Sequence, residues 1–158
     1  MDTTFDLNLS IVLRSIWWKD IPIISYGIDD LTINTMPISN RTTITMAGFP
    51  LSIDKHCVWI DFNNKDDSNC VLEERLDMAV EIESVTLEGI TLDRVKWAAE
   101  YYPRYPEPWA STQTNLPTVV KYTTYLGWNG RWNLNFTVPI FTWIHQTENL
   151  GWIYYPQP

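Results

Sequence analysis

A chain of 158 residues with 45% hydrophobic and 14% aromatic side chains can bury one core without staples, which excludes a disordered tail. Its net charge of −8, with no basic run, excludes nucleic acid as the partner, because phosphate binding wants clustered Lys and Arg. No stretch reaches the ~18 apolar residues of a membrane span, and MDTTFDLNLS lacks the basic and apolar regions of an export signal, so synthesis in a cytoplasm as a single domain, 1–158, is expected.

In chain order, Phe5, Leu7, Leu9, Ile11 and Leu13 alternate with Asp6, Asn8, Ser10 and Val12, the pattern of a half-buried strand. It breaks at Ile16-Trp17-Trp18. Two adjacent rings at a strand end cannot share one core, so one of them is a surface or rim ring. Ile23, Ile24 and Tyr26 make a short strand, Gly27–Asp30 a turn, and Leu31 and Ile33 its return. Met36–Asn40 reads as loop, Arg41–Met46 as a Thr-rich strand, Ala47–Pro50 as a turn, and Asp54-Lys55 as another turn ahead of the central strand.

The run Cys57–Gly89 is the centre of the chain. Val58, Ile60 and Phe62 point one way, Trp59 and Asp61 the other. A polar loop, Asn63–Asn69, follows. Met78, Val80 and Ile82 then share a face opposite Asp77, Ala79, Glu81 and Glu83. After Ile82 the apolar phase slips to Val85 and Leu87, which predicts a β-bulge near Glu83-Ser84. Such a bulge re-aims side chains at a site or simply curves a strand. Val58, Ile60, Val80 and Ile82 are expected to be buried. Cys57 and Cys70, flanking the loop, are spaced so that a disulfide is open to them, but with no export signal free, half-buried thiols are the preferred reading.

Beyond Gly89, the β pattern continues through Ile90–Val95, and Trp97–Glu100 fits a short strand or one helical turn. Tyr101–Trp109 carries Pro103, Pro106 and Pro108, which remove ladder donors and favour extension over a surface or along a sheet edge. Its rings either pack on the body or face a partner. Ser111–Pro117 is a polar linker and Val119–Tyr125 a strand. Gly127-Trp128-Asn129-Gly130 then reads as the tip of a hairpin whose return strand holds Trp132, Leu134 and Phe136. Pro139–Asn149 reads as a helix stopped by Gly151, with Trp152–Tyr155 packing back on the body. The expected fold is all-β: an antiparallel jelly-roll-like β-sandwich with one short C-terminal helix.

The aromatic surplus is the leading chemical signal. Trp17, Trp18, Trp97, Trp109, Trp128 and Trp132 fall at strand ends, turns or a Pro-rich loop, and all of them but Trp97 are the candidate ligand-binding residues. Indole faces stack on the C–H faces of sugars while acids and amides take the hydroxyls. The same rings serve equally as protein-interface anchors. Asp61, Asp66, Asp67, Glu73, Glu74, Asp77, Glu81 and Glu83 crowd the centre. They suit a hard cation, which takes six to eight oxygens, or a solvated face that protects an edge strand. Asp77 with Glu81, or Glu81 with Glu83, are spaced as glycosidase carboxylate pairs are, as on any acidic strand. His56 and His145 lack metal-ligand spacing and are assigned core or capping roles.

Two resemblances follow from quoted residues. Trp59-Ile-Asp-Phe-Asn-Asn-Lys65 and Glu74-Arg-Leu-Asp77, running on to Gly89, resemble the calcium-dependent xylan-binding carbohydrate modules. Those carry a strand ending in Phe-x-Asn-Asp, an acidic loop and an Asp-Arg-Asn-Leu strand. Here Asn64 and Lys65 stand at or near the expected acid, and Asp66, Asp67 and Asp77 are the substitute metal ligands in the neighbourhood. The resemblance implies Ca²⁺ as a cofactor. Asp77–Glu83, Tyr102–Trp109, Tyr125–Gly130 and Glu148–Trp152 resemble small virion-associated proteins of marine tailed phages, cyanophages in particular. That implies a protein assembled into a virion in the host cytoplasm. The expected function is a non-enzymatic phage accessory structural protein whose carbohydrate-module-like body docks on other virion proteins or a surface polysaccharide, with a homo-oligomer left open. The alternatives are a calcium-dependent glycan-binding module and a small glycoside hydrolase.

Overall fold

The structure, a computed structural model, describes residues 4–92 and 94–148. The elements in chain order are β1 (Thr4–Ile16), β2 (Ile23–Ile28), β3 (Leu31–Pro37), β4 (Thr42–Ser52), β5 (Lys55–Phe62), β6 (Ala79–Leu87), β7 (Ile90–Thr91), α1 (Val95–Ala98), β8 (Glu100–Pro103), β9 (Val120–Lys121), β10 (Tyr125–Leu126), β11 (Gly130–Thr137) and α2 (Ile140–Glu148). They form two antiparallel sheets, one in the order β10-β6-β1-β4 with β7 beside β6, the other in the order β3-β2-β5-β11-β8-β9. This is the jelly-roll-like sandwich with a C-terminal helix that the alternation predicts.

The core lies between the sheets because each central strand sends alternate side chains inward. Leu7, Leu9, Ile11 and Leu13 of β1 face Val58, Ile60 and Phe62 of β5 and Trp132, Leu134 and Phe136 of β11 in one continuous buried cluster. Val80 and Ile82 of β6 join them. Full burial of one such side chain contributes about 1.5–3 kcal/mol, so the alternating strands set the register, since a one-residue slip would turn every apolar group to water. At the end of the described chain, Ile140 and Ile144 of α2, one helical turn apart, are buried against the same cluster.

Two bulges shape the first sheet. Val12 pairs with Ser84 and Leu13 with Ile82, leaving Glu83 as the extra residue where the apolar phase slips. On the other side of β1, Leu7 pairs with Phe49 and Leu9 with Met46, so Asn8 faces both Ala47 and Gly48. Gly48 has a φ of +62° and donates its N–H to Asn8 Oδ1 at 3.0 Å. The Ala47–Pro50 turn expected from sequence is therefore a glycine bulge inside one continuous β4.

Three further expectations are corrected. Ile90–Val95 is strand only through Thr91 and gives way to the helical turn α1. Val119–Tyr125 is split between the sheets: β9 pairs with β8 and β10 with β6, with Tyr122 at φ +58° between them. Gly127–Gly130 is no hairpin tip, because β10 and β11 lie in different sheets and 127–129 carries the chain across. Trp152–Tyr155 and the Gly151 stop lie outside the described residues. Cys57 and Cys70 are free, half-buried thiols, and burial pushes Cys57 up to about 11.

Candidate functional site

One end of the sandwich is where β5 ends, β11 begins and β8 ends: Gly130 pairs with both Phe62 and Pro103. Three loops leave this point together, and polar side chains lock them to one another. Asn129 Oδ1 accepts the Lys65 N–H at 2.9 Å while its Nδ2 donates to the Lys65 carbonyl at 2.8 Å. The Arg104 N–H donates to the Asn129 carbonyl at 2.6 Å. Its guanidinium clasps Asp61 at 2.8 and 3.1 Å and donates to the Phe62 carbonyl at 3.1 Å. Tyr101 OH donates to the Trp128 carbonyl and accepts the Trp128 N–H at 3.1 Å. A two-point side-chain lock on the backbone positions a loop more tightly than a single bond does.

Between these loops lies a cleft of about 850 Å³ whose walls include Tyr105, Trp109, Trp128, Tyr125 and Lys65. Trp109 stacks on Trp128 with ring centres 4.8 Å apart, and Tyr105 meets Trp128 edge-on at 5.6 Å. Trp109 opens a 3₁₀ turn, Trp109–Thr112, and is 37% exposed. Tyr105 OH donates to the Pro117 carbonyl at 2.7 Å, tying the Pro-rich stretch to the linker that follows. The rings thus pack on one another and on the body while Trp109 stays part-exposed at the cleft wall.

The polar corner of the cleft is an ion pair. Lys65 Nζ donates to Asp77 Oδ1 at 2.7 Å and to the Gly127 carbonyl at 2.6 Å, and lies 5.6 Å from the Trp128 ring centre. Tyr125 OH donates to Asp77 Oδ2 at 2.7 Å. Burial by itself raises the Asp77 carboxyl, but the Lys65 and Tyr125 hydrogen bonds outweigh it and hold the group below the usual carboxylate range. Burial, then the bond to Asp77, pushes the Tyr125 hydroxyl up, keeping it a donor.

Of the five expected ring residues, the structure brings Trp109 and Trp128 together. Trp17 and Trp18 sit elsewhere, both at the rim, 39% and 41% exposed, their Nε1 groups donating to the Ser39 and Asn69 carbonyls. Trp132 is corrected: it is fully buried between the sheets, because its position is in phase with Leu134 and Phe136, and it cannot meet a ligand.

The expected metal ligands do not converge either. The Asp66 carboxylate accepts the Ser68 N–H at 2.8 Å and caps the 3₁₀ turn Asp67–Asn69, Asp67 is exposed on that turn, and Asp77 is held by Lys65 and Tyr125. Among the described residues no group of three or more His, Cys, Asp or Glu side chains is placed to hold a metal ion. An ammonium beside the best carboxylate is a like charge inside the shell a calcium ion would need. As placed, Asp66, Asp67 and Asp77 do not form the oxygen shell that Ca²⁺ takes.

The hydrolase carboxylates are committed as well. Glu81 pairs with Arg14 at 2.6 Å and Glu83 with Arg41 at 2.7 Å. Asp77 and Glu83 lie below the ordinary carboxylate range, Glu83 through the Arg41 hydrogen bond, which is the reverse of what a general acid needs. Sequence reasoning passed over Tyr105, Tyr125 and Tyr101 as site residues. The Pro-aromatic composition of Tyr101–Trp109 was the available signal for the first of them; for Tyr125, nothing local marks it.

No protein-family model matches the sequence, and no curated protein matches it. Among solved structures, the fold is similar to the selenomethionine form of vCBM60, described in work on a circular permutation linking two families of calcium-dependent carbohydrate binding modules. The TM-score is 0.54 over 81% of this chain and 89% of that chain, at 12% identity. It is also similar to vCBM60 in complex with galactobiose, with a TM-score of 0.52 over 81% of this chain and 98% of that one, again at 12% identity. At that identity, the likeness establishes the β-sandwich fold.

Proposed function

We propose that this chain is a non-catalytic glycan-binding β-sandwich that takes a neutral saccharide in the cleft at the Phe62–Gly130–Pro103 end. The observation that carries the reading is the part-exposed Trp109 ring in the cleft wall, stacked on Trp128 with Tyr105 beside them, and the hydrogen-bonding groups at the same cleft's corner. A sugar ring offers an apolar C–H face to the indole and hydroxyls to the polar corner. The sandwich architecture shared with vCBM60, one structure of which is in complex with galactobiose, supports it. A net charge of −8 disfavours anionic polysaccharides.

The setting we propose is a phage particle, with a surface polysaccharide as the partner. Two of the segments read as resembling phage proteins, Tyr102–Trp109 and Tyr125–Gly130, contribute residues to the cleft walls. Detection of the chain in purified particles tests the setting separately from the binding.

Binding is tested by affinity electrophoresis and Trp fluorescence against soluble galactan, arabinoxylan and β-glucan. Trp109→Ala is expected to weaken binding at least tenfold, about 1.4 kcal/mol. Trp97→Ala, an exposed indole on α1 outside the cleft, should leave it unchanged. Equal affinity of the parent and Trp109→Ala chains would remove the reading.

A further inference from the structure

We infer that recognition in this cleft is independent of metal, and that the Lys65 ammonium meets the sugar hydroxyls where a bound cation would otherwise be required. The inference rests on the glycan-binding reading and says how that site makes its polar contacts.

Lys65 is held unlike a surface lysine. Its side chain is only 10% exposed. Both its backbone groups are locked by the Asn129 amide, so the stem has a fixed origin. An ammonium has three N–H donors. Two are taken, by Asp77 Oδ1 and the Gly127 carbonyl, and among the described residues the third has no protein acceptor. Lys65 lines the same cleft as Trp109. Long, rotamer-rich side chains ordinarily lose entropy on binding a ligand; here the protein has already ordered this one.

The partner side chain extends the argument. A carboxylate offers about four lone-pair sites. The Asp77 carboxylate accepts from Lys65, from Tyr125 and from the Met78 backbone N–H, which leaves about one lone-pair site beside the lysine donor. A donor and an acceptor side by side suit a vicinal diol, one hydroxyl accepting from Nζ and its neighbour donating to Asp77. The two charges cancel, so the corner attracts neither a uronate nor a sugar phosphate. Arg104, the other cation lining the cleft, is clasped by Asp61. The ligand class is therefore a neutral sugar with adjacent free hydroxyls.

The test compares the intact chain on soluble galactan, arabinoxylan and β-glucan in EDTA and in added Ca²⁺. Equal affinity in both is expected. Lys65→Met is expected to weaken binding at least tenfold. Because that change strands a half-buried carboxylate, the double variant Lys65→Met with Asp77→Asn, which removes both charges together, is measured alongside, with thermal melting to confirm its fold; it should lose binding equally. Binding that vanishes in EDTA and returns with Ca²⁺ would overturn the inference and leave the glycan reading standing. Parent-like affinity in the folded double variant would also overturn it. No binding in either buffer would overturn the glycan reading and the inference with it.

Discussion

His56 and Asp77 are each fixed by an opposite charge, with opposite consequences for pH. The His56 ring has Nδ1 2.7 Å from Asp29 Oδ2, and its Nε2 donates to the Ser52 carbonyl at 2.8 Å. Only the imidazolium carries a proton for both acceptors. Burial opposes that charge, but the Asp29 hydrogen bond, the Ser52 carbonyl and the charges of Asp29 and Asp54 together raise the pKa above its ordinary 6.5. A raised folded-state value contributes stability that is complete below the unfolded value and is lost as pH rises through the folded one. Urea unfolding should therefore show the parent losing stability as pH rises past the ordinary 6.5 and through the raised folded-state value, a loss that His56→Asn does not show. Equal pH slopes for the two chains would contradict this. For Asp77 the sign reverses: its contribution is present above the ordinary 3.8 and is lost only as pH falls through the lowered folded value, so the Lys65 pair persists throughout the neutral range.

Among the elements, β11 does the most to make a cleft out of a sandwich, because it is the strand that both β5 and β8 lean on. Gly130 at its start is required by close approach: a Cβ there would lie 2.5 Å from the Tyr102 carbonyl oxygen and 2.7 Å from the Pro103 Cα. Backbone cannot swing aside as a side-chain tip can. Gly130→Ala should cost about 1–3 kcal/mol in denaturant unfolding and weaken glycan binding as β8 and the Tyr105 loop are pushed out. Parent stability in that variant would mean the β8–β11 pairing is looser than its register indicates. Strand signals differ in how far they are legible from sequence. The Glu83 bulge shows in one dimension, since an extra residue shifts the phase of a period-2 pattern. The Gly48 bulge does not, because Ala-Gly-Phe-Pro has the composition of a turn and only pairing with Asn8 keeps the strand going. The crossing at 127–129 resembles a hairpin for the same reason: Trp-Asn-Gly chemistry specifies a bend, not which sheet the chain enters next.

At the scale of the whole molecule, the acidic balance and the absence of an assembled metal group among the described residues predict how the protein behaves as a unit. A cation bound at a hundred times its Kd would add about 2.7 kcal/mol, a shift of about 5–10 °C for a domain of this size. Thermal melting in EDTA and in about 5 mM CaCl₂ should instead agree within about 1 °C; a rise with calcium would reveal ligands that the described side chains do not display. By itself, the sequence determined the two-layer antiparallel class, the inward faces of β1, β5, β6 and β11, the phase slip at Glu83 and the C-terminal helix, because alternation and helical spacing are local and survive in one dimension. Only the tertiary structure decided which indoles share a cleft, that Trp132 belongs to the core, and that Asp77 answers to Lys65 and Tyr125 instead of to Asp66 and Asp67. Those outcomes depend on strands and loops up to about sixty residues apart meeting at one end of the sandwich, as Lys65 and Asn129 do. Such convergence is a property of the packed sheets, and no window of sequence contains it.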